Sequence, residues 1–179
     1  MRILKEMIYL FTCTLLIVAI IMTSSLEVKA TEGRSMLPTL SNGYVVVDKV
    51  SSHFKENAGL EFYDLVCLLD LKIEGKSGDT NILKRVIGLP GDLIEIKNGV
   101  VFRNGEAIDD YAIEHHDTVT NLTTKVSEGH IFVLGDNRTN SLDSRMIGEV
   151  SLENVLGKVI HIVDPDSVLN KIIVSWISH

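Results

Sequence analysis

ILKRVIGLPGDLIEIKNGVVFRNG, residues Ile82–Gly105, decides the fold class. Pro90-Gly91, Asn98-Gly99 and Asn104-Gly105 divide it into three short runs rich in Val, Ile and Leu, each too short for a typical helix. In the second run Ile94 and Ile96 alternate with Glu95 and Lys97, the period of a strand with one face in a core. Asn-Gly is the preferred centre of a tight hairpin turn, so residues 92 to 108 read as successive hairpins.

Similar runs extend to both sides: YVVVDKV from Tyr44, FYDLVCLLD from Phe62, HIFVLGD from His130 and VLGKVIHIVD from Val155. Between them Ser51–Gly59, Lys72–Asn81 and Asp109–Glu128 are polar and read as surface loops. Neither an internal repeat nor a low-complexity tract interrupts the pattern. The expectation is an all-β or mainly β domain of about 145 residues, whose short strands bury both faces in a small barrel or folded sheet.

The N-terminal part differs. Met7–Leu26 is an uncharged run of 20 residues, close to the length that crosses a hydrocarbon core as a helix. A cleavable secretory signal is the alternative, with a basic start at Arg2 and Lys5 and small residues in Val28-Lys29-Ala30. The run exceeds the usual signal core, which favours a retained anchor. Arg2 and Lys5 then stay on the cytoplasmic side, and everything beyond Leu26 lies outside. The expected organisation is a short cytoplasmic segment at 1–6, a transmembrane anchor at 7–26, an extracytoplasmic domain at 31–165 and a tail at 166–179.

The chain carries 17 basic and 24 acidic residues, a net charge of −7 with His neutral, which argues against a nucleic-acid partner. Of the two cysteines, Cys13 falls in the apolar run and Cys67 in a strand-like segment, so a disulfide between them would need one partner inside a bilayer. No His, Cys and Asp set has metal-ligand spacing, and neither a metal nor a cofactor is expected.

Three segments can carry chemistry. GRSMLPTL, Gly33–Leu40, presents Ser35 just beyond the apolar run. A serine nucleophile needs a base, and none of the six histidines, His53, His115, His116, His130, His161 and His179, sits in a triad setting. Lysine is the other candidate, and burial lowers its pKa by penalising the ammonium. Lys84 interrupts an apolar strand run, with Ile82 and Val86 expected on its face, and Leu83 and Ile87 opposite with Arg85 alternating away. Taken locally, an edge lysine that blocks aggregation is the more common reading. The third segment, GHIFVLGDNRTNSLDSR at Gly129–Arg145, is a strand feeding a polar turn denser in hydrogen-bonding groups than a simple turn requires. Within it Asp143 and Arg145 can pair, and a serine hydroxyl can contact a catalytic amine.

Together, and in this order, GRSMLPTL, FYDLVCLL, ILKRVIGLPGD and GDNRTNSLDSR resemble the type I signal peptidases, membrane-anchored serine proteases that remove signal peptides from exported proteins. The likeness spans about residues 31 to 163, together with the single preceding anchor of the Gram-positive form. It implies a mainly β catalytic domain with a hydrophobic membrane-facing surface, Ser35 as nucleophile and Lys84 as general base. It further implies that Ser141 orients the lysine amine, Asp143 and Arg145 form the supporting pair, Met36 helps form the substrate site and Pro38 fixes the turn. Preprotein signal peptides and the lipid bilayer are the implied partners. Gly33 departs from members with a hydroxyl two residues before the nucleophile, leaving backbone N–H groups to hold the oxyanion. A self-cleaving Ser-Lys repressor is opposed by the anchor and the acidic charge. A catalytically idle, membrane-tethered factor for surface-fibre assembly would show a replaced serine or lysine, and both are present.

Overall fold

The computed structural model describes residues 2–49, 59–69, 82–108 and 121–163, without the side chains of 2–4 and 17–24. In chain order the elements are α1 (Arg2–Ser25), β1 (Leu26–Thr31), β2 (Gly43–Asp48), β3 (Leu65–Leu68), β4 (Ile82–Gly88) and β5 (Leu93–Lys97). They continue with β6 (Val100–Arg103), β7 (Glu106–Ala107), β8 (Leu122–Lys125), β9 (His130–Leu134), a one-turn α2 (Ser144–Ile147), β10 (Val150–Ser151) and β11 (Val155–Val163). The strands form a seven-stranded sheet of order β1-β2-β11-β3-β4-β9-β10 and a four-stranded sheet of order β7-β6-β5-β8, every pair antiparallel. The domain is mainly β as expected, and its sheets are folded over one another without closing into a barrel.

The hairpins form where the Asn-Gly pairs stand. Asn98 and Gly99 have φ of 52° and 81°, Asn104 and Gly105 52° and 85°, the positive values of the turn that matches strand twist. On β5, Ile94 and Ile96 are buried while Leu93 and Lys97 face out. These isoleucines pack with Val101 of the small sheet, and with Ile108 and Val126 just beyond the ends of β7 and β8, against Ile87, Phe132 and Leu134 of the large one. Val66, Leu68, Val86, Ile131 and Val133 form a second cluster, and Met36, Leu40, Val45, Val47, Cys67, Leu83 and Val159 a third. Strand β4 touches all three, which explains why its whole run is apolar except at two positions.

The expected faces of β4 hold: Ile82 and Val86 join one cluster, while Leu83 and Ile87 go to the others. The reading of Lys84 as a solvent-facing edge lysine does not hold, because its side chain is 2% exposed, although among the described residues Ile82–Lys84 pair with β3 alone and pairing to β9 begins at Arg85.

Leu26–Thr31 is a strand, where the sequence reading ended an anchor and placed a small-residue cleavage motif. The bond after Ala30 lies inside β1, opposite Tyr44 of β2. Helix α1 runs into β1 without a loop, and the Ser25 carbonyl at the junction accepts the Lys49 N–H at 2.9 Å. Leu122–Lys125, within the expected loop 109–128, pairs with β5. The Phe62 run is strand only over Leu65–Leu68, Phe62 and Tyr63 lying in a turn. The loops expected at 51–59 and 72–81 fall outside the described residues except for Gly59, as does the tail at 166–179. Among the described residues no helix is long and apolar enough to cross a membrane. On α1, Met7, Ile8, Tyr9, Leu10, Phe11, Leu15 and Leu16 are all 55% exposed or more.

Candidate active site

The turn after β1, the middle of β4 and the segment after β9 converge at Ser35. The Lys84 amine and Ser35 hydroxyl stand 3.0 Å apart, hydrogen-bond distance. Ser35 is partly open to solvent, while Lys84 enters from within the sheet. An ammonium there would donate to Oγ; a neutral amine accepts the hydroxyl proton. The pair can therefore act as base and nucleophile without any histidine. Of the two described histidines, His130 contacts the Glu128 carbonyl at 3.0 Å, at the opposite end of β9 from the polar segment, and His161 lies on β11. His53, His115, His116 and His179 lie outside the described residues.

The serine turn is fastened from two sides. Asn137 donates its backbone N–H to the Ser35 carbonyl and its side-chain Nδ2 to the Arg34 carbonyl, both at 3.0 Å. Thr39, at the far end of the turn, donates its hydroxyl to Asp136. Asp136 also takes Arg85 Nε at 2.7 Å and Nη2 at 2.6 Å, while Arg85 Nη1 reaches the Tyr63 carbonyl at 2.9 Å. Arg85 is the neighbour of Lys84, so this buried pair binds the base-bearing strand to the serine turn. The sequence reading gives Arg85, Asp136, Asn137 and Thr39 no role in the site. Their signal was there: an arginine inside one apolar strand and an aspartate closing another need each other if both strands are buried.

Asp143 and Arg145 pair as anticipated, Nε to Oδ1 at 2.8 Å and Nη2 to Oδ2 at 3.0 Å. The fully buried Asp143 also caps α2 through the Arg145 N–H and accepts the Gly135 N–H at 3.0 Å. Arg138 closes the loop from within, donating Nε to the Gly135 carbonyl at 3.1 Å, and burial pushes its guanidinium down to about 10. Ser141 is brought into this cluster, and its buried Oγ has no hydrogen-bond partner among the described residues. Gly135 is the close approach that makes the cluster possible: a Cβ there would lie 2.2 Å from Ser141 Oγ and 2.6 Å from the Ser35 carbonyl oxygen.

Met36 points into the apolar cluster with Cys67 and Leu83 and is 3% exposed. Pro38 follows a cis peptide bond in the same turn. Gly33, at φ +118°, donates its N–H to Asn42 Oδ1 at 3.0 Å. The Cys67 thiol is raised to about 11 by burial, which suits a small core side chain better than a reactive thiol. Among the described residues no group of His, Cys, Asp and Glu could hold a metal ion.

The family profile of signal peptidase, peptidase S26, matches residues 4–163. The chain belongs to the peptidase S26 family. A probable signal peptidase I of Synechocystis is 35% identical over 152 residues, covering 80% of this chain and 76% of that one. The signal peptidase I P of Bacillus subtilis subsp. natto is 36% identical over 154 residues, covering 80% of each. A solved signal peptidase I from Enterococcus faecalis aligns at a TM-score of 0.46 and 28% identity, covering 55% of this chain and 95% of that one. This S26 peptidase is thus a serine endopeptidase of the signal peptidase I type, acting on the signal peptides of preproteins.

Proposed function

We propose that Ser35 is the nucleophile of this signal peptidase and Lys84 its general base. The observation that carries the reading is the 3.0 Å contact between a partly open hydroxyl and a buried amine. An ammonium at the Lys84 position would lack most of its hydration, and the reaction needs the neutral amine. Lys84 takes the hydroxyl proton as Oγ attacks the scissile carbonyl, then returns it to the leaving amine. Water activated by the same amine releases the acyl-enzyme. With the Gly33 N–H already engaged by Asn42, the Ser35 N–H is the donor for the oxyanion.

The unpartnered Ser141 hydroxyl is proposed to contact the lysine amine during turnover, with Asp143 and Arg145 fixing the loop that carries it. Met36, next to the serine and packed with Cys67 and Leu83, is proposed to help form the substrate site, and small residues at the first and third positions before the cut follow from the family resemblance. Strand edges support extended binding: among the described residues β1 pairs only with β2, and Ile82–Lys84 of β4 only with β3. Helix α1 is proposed as the membrane anchor, with residues 1–6 cytoplasmic and the domain at 31–165 outside. Its apolar side chains project on all sides from the body, an arrangement that suits lipid.

Cleavage of a labelled preprotein by the intact chain in lipid vesicles, with Ser35→Ala and Lys84→Ala alongside, tests the assignment. Cutting after a small-residue motif that each substitution reduces by 10³-fold or more is the outcome expected of nucleophile and base loss. Retained cutting by either variant overturns it. Preprotein binding without cutting by the intact chain would point to the idle assembly factor.

A further inference from the structure

The peptide unit that joins Arg34 to Ser35 is held from its carbonyl side by the loop after β9. Asn137 Nδ2 donates to the Arg34 carbonyl at 3.0 Å. The Leu37 N–H reaches the same oxygen from within the turn, but at 3.3 Å, longer than the usual N–H to O bond. The Asn137 backbone N–H meanwhile donates to the Ser35 carbonyl at 3.0 Å. One residue thus fixes the two successive peptide units on either side of the Ser35 Cα. The Asn137 amide is itself held, because Thr139 Oγ1 donates to its Oδ1 at 2.9 Å. A carbonyl oxygen can only accept, so the amide turns its NH2 end to Arg34 and its oxygen to the Thr139 hydroxyl. Asn137 is half-buried and Thr139 exposed, which places this relay at the rim of the site and outside the core.

The same peptide unit carries the Ser35 N–H, which no described backbone carbonyl takes. A trans peptide is planar with its C=O and N–H antiparallel, so fixing the direction of one fixes the other. Holding the Arg34 oxygen toward Asn137 therefore aims the Ser35 N–H the opposite way and resists the rocking that would swing it off a developing oxyanion. A donor on the carbonyl oxygen also polarises the amide and strengthens the bond its N–H can give. The turn has little to replace this donor. Position two before the serine is Gly33, which brings no hydroxyl, and its own N–H is engaged by Asn42 Oδ1 at 3.0 Å. An oxyanion donor is effective in proportion to how well it is aimed before charge develops.

We propose that Asn137, oriented by Thr139, is a positioning residue that aims the Ser35 N–H at the oxyanion. The inference rests on the reading of Ser35 as nucleophile and Lys84 as base, and adds to it the support of the oxyanion donor. Both side chains act through the Arg34–Ser35 peptide and not on the substrate, so their contribution belongs to the transition state and leaves ground-state binding alone.

The test uses the intact chain in lipid vesicles, a cleavable preprotein peptide, and two analogues of the peptide's upstream half, one ending in an aldehyde and one in the corresponding alcohol. Ser35 Oγ adds to the aldehyde carbon: a C–O bond forms, the carbonyl π pair moves onto oxygen and the serine proton passes to Lys84. That adduct carries the oxyanion of the reaction, whereas the alcohol reads binding alone. Asn137→Ala removes the amide and keeps the backbone bond to the Ser35 carbonyl. Its kcat should fall about 10- to 10²-fold with KM little changed, short of the loss of a whole oxyanion donor. Aldehyde affinity falls by a similar factor and alcohol affinity stays at the parent value. Thr139→Val removes only the exposed hydroxyl and lowers kcat about three- to tenfold, and Thr139→Ser, which keeps a hydroxyl, restores it. Thermal unfolding of each variant separates these effects from a folding defect. Parent kcat in a folded Asn137→Ala variant, or equal losses of aldehyde and alcohol affinity, overturns the proposal while leaving the peptidase reading intact. Failure of the unsubstituted chain to cut the peptide, or retained cutting by Ser35→Ala or Lys84→Ala, overturns both.

Discussion

Gly135 shows how little room the site leaves at the level of single residues. Its N–H and carbonyl are held by Asp143 and Arg138, and its missing side chain is the space in which Ser141 and the Ser35 carbonyl meet. Gly135→Ala cannot be accommodated without displacing one of them by an ångström or more, and displacement on that scale costs about 10²-fold in rate. The expected outcome is a folded protein with kcat reduced by that order and KM little changed, read by steady-state kinetics and a thermal melt. Asp136 fails differently. Asp136→Ala leaves the Arg85 guanidinium buried without its carboxylate, a loss of about 3–5 kcal/mol, and frees Thr39 at the end of the serine turn. Its Tm should fall clearly, with activity lost even at temperatures where the fold persists. Ser35, Lys84, Asp143 and Arg145 were legible because each is a functional residue type inside a motif. Gly135 and Asn137 act through shape and backbone contacts, which one sequence does not display.

Strands were legible in proportion to their length and burial. β4 and β11 have long β-branched runs, and β5 has clean alternation. β8 is only LTTK, with little apolar content to distinguish it from the polar segment around it. β1 does alternate, LEVKAT, but the signal is overshadowed by the apolar run preceding it. The element that joins the sheets depends on one carboxylate. Asp92 follows the turn after β4, accepting the Leu89 N–H at 2.8 Å, Arg103 Nε at 2.7 Å and Asn104 Nδ2 at 2.7 Å. Burial works to raise its pKa, but the bonds from Arg103, Leu89 and Asn104 outweigh it and the net shift is downward. A folded-state value below the unfolded one means the contribution to stability is complete above the unfolded value, about 3.9, and is lost as pH falls through the folded value. Asp92→Asn should cost about 1–3 kcal/mol at pH 7, and the gap to the parent should narrow on acidification below about pH 4. Chemical denaturation at a series of pH values reads both; a gap constant with pH would show that the charge is not what the turn needs.

At the scale of the whole molecule, the junction of α1 and β1 fixes where the site lies relative to the helix. No loop intervenes, Lys49 clasps the helix end, and β1 covers about 20 Å before the turn that carries Ser35. If α1 lies in a bilayer, that rigid spacing sets the height at which a bond can be cut. A preprotein held in the same membrane presents its cleavage site at its own fixed height, so the two must match. Inserting Gly-Ser-Gly-Ser between Ser25 and Leu26 lengthens and loosens the spacing without touching the sheet or the Ser35–Lys84 contact. Cleavage of a membrane-inserted preprotein should then fall several-fold, or move to a neighbouring bond, while a short soluble peptide is cut at the parent rate. The comparison separates two roles for the helix, because a simple tether that only raises local concentration would tolerate four flexible residues. Equal cleavage of both substrates by the insertion variant would mean that the strand and serine turn alone determine the cut, with the helix supplying attachment and no measure of depth.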